Sequence, residues 1–231
     1  VEAGTVRESV ENQVTKRYSE TLLKLGRLSD AKAAVARLDD LEDDLELTVL
    51  RASIATAEGD LRRAREIYDS AVEKFPSRTL PYIQRALFNQ DNPELIPDAI
   101  RDLQQAVTLE PSRTQAWVKL YELRKAQGEV DAAFADLRRS IDANPENDSL
   151  QRMLISELLA AGRREQGLIA ALDAVRKRPE NQQWLSAVAQ VLARYGRHRE
   201  ASDLYRRLID LDEGEEPNPA YIAGLLDMTL Q

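Results

Sequence analysis

TQAWVKLYELRKAQGEVDAAFADLRRSIDANP, residues 114–145, decides the fold. Its first half carries Trp117, Leu120, Tyr121 and Leu123 at helical spacing, and its second half repeats the pattern with Val130, Ala133, Phe134, Leu137 and Ile141. The stretch therefore predicts two amphipathic helices. Gly128 lies between them and supplies the turn, because glycine takes left-handed backbone angles without steric cost. Pro145 stops the second helix, since it lacks an N–H and crowds the preceding turn. Ala133, being small, lets the second helix lie close against the first.

The outline recurs along the chain. Prolines fall at 76, 111, 145 and 179, and glycines at 26, 59, 128, 162 and 196. Five residues after each of these glycines stands a small residue: Ala31, Ala64, Ala133, Gly167 and Ala201. Ala99 fills the same slot in a unit whose turn is replaced by FNQDNPELIPDA, where Pro93 and Pro97 stiffen the chain and Pro97 suits the first position of a helix. Six units follow, at about 12–44, 45–78, 79–113, 114–147, 148–181 and 182–215, with a terminal helix at 218–230. The first helix is expected from near Thr5, with Val6, Val10, Val14, Tyr18 and Leu22 spaced four apart. DEGEEPNP (212–219) reads as the linker, and Asn218 as the N-cap before Pro219. Ile222, Leu225 and Leu226 of the last helix either cover unit six or open a seventh repeat.

The pattern of Trp117, Leu120, Gly128, Ala133 and Pro145, repeated by Gly59, Ala64, Tyr68, Ala71 and Pro76, resembles the tetratricopeptide repeat (TPR). The resemblance implies an all-α, right-handed α-solenoid of about six helix-turn-helix repeats, forming one domain over 1–231. It implies that first helices line a concave, partner-binding face, here with Val49, Leu50, Ser53, Ile83, Gln84, Leu87, Val118, Lys119, Glu122, Arg152, Met153, Ser156, Gln190 and Arg194. That surface suits a peptide or helix with apolar anchors and an acidic residue. The carboxylate clamp of chaperone-tail-binding members is not supported, because its asparagine positions hold Glu20, Ser53, Leu87 and Glu122. Where the family prefers glycine in the first helix, this chain has Ser19, Ala52, Ala86, Tyr121, Ile155 and Ala189, and the large Tyr121 and Ile155 are expected to open the local crossings. Units one and six lack the terminal proline, having Asp43 and Glu213. AREIYDSAVEKFP (64–76) also resembles the half-a-TPR repeats of RNA-processing scaffolds.

Composition narrows the chemistry. Net charge is −8, so no global field draws the chain to nucleic acid or anionic lipid. With no cysteine and a single histidine, His198, thiolate sites, disulfides and two-imidazole mechanisms are out. No nucleotide-binding, hydrolase or metalloprotease motif occurs, and no metal or cofactor is expected. DDLEDD (39–44) reads as a solvated inter-repeat turn, and His198 as a partly buried packing residue. Trp117 and Trp184 read as packing aromatics rather than exposed anchors. Residues 150–207 hold eleven basic and six acidic side chains. Arg163, Arg164, Arg197 and Arg199 lie at one edge, Arg176, Lys177 and Arg178 at the other, and Arg206 and Arg207 on an outer helix, which describes a solvated surface rather than one groove.

The expected function is a non-catalytic scaffold binding a protein or peptide partner, with no nucleic acid and no membrane insertion. Alternatives are a docking region of a larger enzyme or envelope assembly protein, self-association through the terminal helices, or an RNA-processing-type scaffold. The chain opens on Val1 rather than Met and reads as an excerpt of a longer protein. A soluble protein of the cytoplasm is expected, with the bacterial periplasm as the alternative.

Overall fold

A computed structural model describes residues 2–38, 44–214 and 216–229. Among these are thirteen α-helices and no strand. They form two compact units, Val1–Asn144 and Pro145–Gln231. The first unit holds α1 (Glu2–Lys24), α2 (Leu28–Val35, continued by a 3-10 turn at Ala36–Leu38), α3 (Leu45–Ala57), α4 (Leu61–Lys74), α5 (Thr79–Asn89), α6 (Ile96–Leu109), α7 (Thr114–Ala126) and α8 (Val130–Ala143). The second holds α9 (Asp148–Ala160), α10 (Arg164–Lys177), α11 (Gln182–Arg194), α12 (His198–Asp210) and α13 (Pro219–Thr229). In both, a helix packs on its hairpin partner, and that partner packs on the first helix of the next pair. The fold is the expected all-α solenoid class, in which each pair shelters its neighbour's apolar face.

Local chemistry explains the hairpin. Gly128 has φ of +79°. Its N–H donates to the Lys125 carbonyl at 3.1 Å while the Glu129 N–H donates to the Arg124 carbonyl at 2.9 Å. These two bonds satisfy carbonyls that the end of α7 would otherwise leave bare. The same pair of bonds closes the turns at Gly26, Gly59, Gly162 and Gly196. Between α5 and α6, where no glycine stands, Asn92 accepts from the Glu94 N–H at 3.1 Å and caps a single 3-10 turn, Pro93–Leu95.

The small residue five positions on is a contact requirement. Ala31, Ala64, Ala99, Ala133 and Ala201 are fully buried. A Cβ on Gly167 would stand 2.7 Å from a Leu159 methyl. Around these contacts lie fully buried leucines such as Leu120 and Leu137 in the first unit and Leu185 and Leu192 in the second. Each stabilises its unit by about 1.5–3 kcal/mol relative to exposure. Tyr121 is buried against Phe134, with ring centroids 5.8 Å apart, and Ile155 sits in the core of the second unit.

The prolines also latch one pair to the next. Tyr82 Oη donates to the Pro76 carbonyl at 3.1 Å, and Trp117 Nε1 donates to the Pro111 carbonyl at 2.9 Å. In both cases an aromatic six residues on reaches back.

One expectation is corrected. Helix α1 begins at Glu2 rather than near Thr5, and its four-apart stripe is not a buried face. Leu22 is buried, but Val10, Val14 and Tyr18 are exposed. The buried side instead carries Ser19 and Lys16, whose ammonium pairs with Asp44 and Glu46 at 2.8 Å each. Of DDLEDD, residues 39–43 lie outside the described residues, as does the side chain of Val6; Asp44 caps α3 by accepting from the Leu47 N–H at 2.9 Å.

Candidate functional site

Within the second unit, the first helices α9 and α11 bound an open trough of about 420 Å³. Ile155, Ser156 and Leu159 of α9 form one wall, and Trp184, Val188 and Val191 of α11 the other. On α9 these residues, with Arg152 and Ala160, recur at three- and four-residue steps and so occupy one helical face. Arg152 and Arg194 are the charged side chains in the walls. Both are exposed, and neither has a carboxylate partner among the described residues.

The indole of Trp184 decides the shape of this wall. Helix α11 starts three residues after Pro179, as α7 starts three after Pro111, but the aromatic comes one position earlier. One position is about 100° around the helix, so this ring does not repeat the latch that Trp117 makes. Trp184 is 2% exposed, and its Nε1 is buried without an acceptor. Two guanidinium groups hold the ring instead, Arg152 at 5.2 Å and Arg178 at 5.6 Å from its centroid. Arg178 is itself anchored, to Asp148 at 2.8 Å and the Pro145 carbonyl at 2.7 Å. At the far end, Arg164 stacks over Tyr195 at 5.2 Å and donates to its carbonyl.

Of the residues expected from sequence, Arg152, Ser156 and Arg194 line the trough, whereas Met153 and Gln190 do not. The remaining nine belong to the first unit. Leu50 and Ile83 are buried and serve packing rather than a free surface. Ser53 donates to the Val49 carbonyl at 3.0 Å and lies 3.3 Å from Tyr68 Oη. Lys119 and Glu122 neutralise each other at 2.8 Å. Gln84, Leu87, Val118 and Val49 are half-buried. Sequence reading missed Ile155, Leu159, Ala160, Trp184, Ala187, Val188, Val191 and Tyr195 as lining residues; the four- and three-residue steps from Trp184 to Val188 and on to Val191 were the available signal.

The first unit has a different hollow, polar and about 290 Å³, among α4, α5 and α6. Arg85, Asp69 and Asp102 in it are paired with one another, as are Arg101 and Asp98. Arg85 Nε and Nη2 donate to the two carboxylate oxygens of Asp102 at 2.8 and 2.7 Å, and Nη1 donates to Asp69 at 2.9 Å. The hydrogen-bonded Asp102 carboxylate holds the guanidinium further above its ordinary value. Asp136, at the matching position of the next pair, lies 2.7 Å from Arg124 Nε, yet burial pushes its carboxyl up. His198 opens α12 half-buried, with Nδ1 3.3 Å from Met228 Sδ.

Among the described residues no helix is long and apolar enough to cross a membrane, and no cluster of three or more His, Asp or Glu is placed to hold a metal ion.

The family model described as the bacterial transcriptional activator domain matches residues 40–170, more than half of the chain. A tetratricopeptide-repeat model matches residues 152–216. Solved structures share the fold at low identity. A thermophilic TPR protein of Thermus thermophilus, TTC0263, is 19% identical with a TM-score of 0.51 over 79% of this chain and 99% of its own. Pseudomonas aeruginosa pilF is 14% identical with a TM-score of 0.57, covering 96% of this chain and 98% of its own. The Naa15/Naa10 complex bound to HypK-THB is 16% identical with a TM-score of 0.57 over 94% of this chain, which spans 39% of that chain.

Proposed function

Because the chain belongs to the bacterial transcriptional activator domain family and is built of tetratricopeptide repeats, we propose that it is a scaffold without chemistry of its own, binding a segment of a partner protein on the surface of its first helices. The observation that carries this reading is the trough between α9 and α11, apolar in its walls and open to solvent. Concave apolar sites with a few directed polar groups are the default binding sites of proteins. In the first unit, taken by itself, Val49, Gln84, Leu87, Val118 and Lys119 are partly exposed first-helix residues.

A photo-crosslinking residue at Ser156 tests the reading, with Ile169 on the outward face of α10 as control. The expected result is one defined adduct from Ser156 that disappears in Ala187→Trp. Equal labelling from both positions, or an adduct indifferent to Ala187→Trp, refutes it.

Self-association is the second reading, favoured by apolar side chains left open on terminal helices: Val10, Val14 and Tyr18 on α1, Ile222 and Leu226 on α13. Light scattering of Ile222→Glu/Leu226→Glu against the parent chain tests it, and equal masses refute it.

A further inference from the structure

We propose that the α9–α11 trough takes an extended acidic segment of a partner, with a bulky apolar side chain at one residue and carboxylates two residues before and two after it. This deepens the reading above and rests on it. Both helices are first helices of their pairs and run in the same sense. Arg152 meets the ring of Trp184 near their N-terminal ends, and Arg194 lies with Ala160 and Tyr195 at the other end of the trough. From Trp184 to Arg194 is ten residues of helix, about 15 Å at 1.5 Å per residue. The trough is thus an apolar channel with one unpaired cation at each end.

An extended chain rises about 3.3 Å per residue and turns alternate side chains to the same side. Residues i, i+2 and i+4 therefore face the trough together over about 13 Å, and the flexible arginine side chains cover the remainder. Residue i+2 falls on the apolar middle, at Ile155, Leu159 and Val188. Residues i and i+4 fall at the two guanidinium groups, whose planar donors match a carboxylate. A cationic segment meets two like charges instead. Arg178, by contrast, is tied to Asp148 and the Pro145 carbonyl, so it holds the Trp184 wall rather than a ligand.

The probe is a fluorescein-labelled peptide containing Glu-Thr-Phe-Thr-Glu, threonine being chosen for its preference for extended backbone. Its comparators are Lys-Thr-Phe-Thr-Lys, Glu-Thr-Ala-Thr-Glu and the same composition with both glutamates adjacent. Binding to the full chain is read by anisotropy, and by Trp184 emission in a Trp117→Phe background. The first peptide is expected to bind at least tenfold tighter than the lysine and alanine peptides, and up to about fivefold tighter than the adjacent-glutamate peptide, which loses one ion pair. Arg152→Gln and Arg194→Gln are each expected to weaken it up to about fivefold, the range of an exposed ion pair, and Ala187→Trp to abolish it. Three outcomes overturn the proposal: equal binding of the lysine peptide, equal binding of the adjacent-glutamate peptide, or no loss in Ala187→Trp. The first two, with binding still blocked by Ala187→Trp, leave the trough as a docking surface and remove only this occupant. If no peptide binds and the chain self-associates in a manner lost with Arg194→Gln, a second copy is the occupant and the proposal is wrong.

Discussion

Replacing Arg85 by Met isolates the cost of an unpaired charge inside a repeat. The Asp102 side chain is 7% exposed, and its two oxygens take two of the three guanidinium bonds, at 2.8 and 2.7 Å. Removing one partner of such a pair leaves the other as an uncompensated charge and costs about 3–5 kcal/mol. Because Arg85 itself is 24% exposed, water reaches the site, and the lower end, about 3 kcal/mol, applies. Asp102→Leu is milder, about 1.5 kcal/mol, since Arg85 keeps Asp69, a half-exposed carboxylate. The double variant Arg85→Met/Asp102→Leu has neither charge and returns to within about 1 kcal/mol of the parent, as apolar replacement of buried pairs commonly does. Urea unfolding followed by Trp117 emission in a Trp184→Phe background reports on the first unit. At a slope of about 1–3 kcal/mol per molar urea, the Arg85→Met midpoint drops by roughly 1–3 M. A midpoint unchanged in Arg85→Met, or a double variant as damaged as Arg85→Met, refutes the compensation.

Gly128→Ala is expected to cost about 1–2 kcal/mol by urea unfolding, through backbone strain alone, because nothing lies within 4 Å of the added carbon. Gly224→Ala puts a carbon 2.5 Å from the Tyr205 ring and should cost about 1–3 kcal/mol, seen as lost amide protection over α13 with α9 and α11 unaffected; retained protection at α13 contradicts the close approach. Trp117→Phe sacrifices a hydrogen bond to Pro111 and Trp184→Phe sacrifices none, so the first should be the more destabilising by about 1 kcal/mol. Finally, the hydrogen bond from Lys16 holds the Glu46 carboxyl below its ordinary value, while on Lys16 the bonds and charges of Asp44 and Glu46 outweigh burial and raise the ammonium. The Glu46 contribution is present above its unfolded value of about 4.3 and is lost as pH falls through the lower folded value. The Lys16 contribution is present below about 10.4 and is lost as pH rises through the raised one. The stability difference between parent and Lys16→Met should be flat through neutrality and shrink at both extremes; a difference that grows toward acid contradicts the pairing.

The hairpins were legible because glycine, proline and a small residue act within a few positions of themselves, and those positions recur. Features set by rotation around a helix were less so. The α1 stripe from Val10 to Leu22 advances four residues at a time, so over twelve residues it drifts by about 120° from a 3.6-residue turn. Leu22 can then face the core while Val10, Val14 and Tyr18 face solvent. Charged core groups were hidden for another reason: no local pattern singles out Arg85 and Asp102, which meet only when the hairpin brings them together. The trough was legible in part. Arg152, Ser156 and Arg194 came from the repeat register, but the register carried Gln190 onto a face that belongs to Ala187 and Val191. The displacement traces to Trp184, one position ahead of where the proline latch would hold it. A latched aromatic hands its polar tip to the preceding carbonyl and is finished as a packing residue, as Trp117 is. Trp184 keeps its N–H unspent and takes two guanidinium faces instead. Natural chains depart from their local rules where something other than folding is selected, and here the departure falls on the wall of an apolar channel flanked by two unpaired arginines.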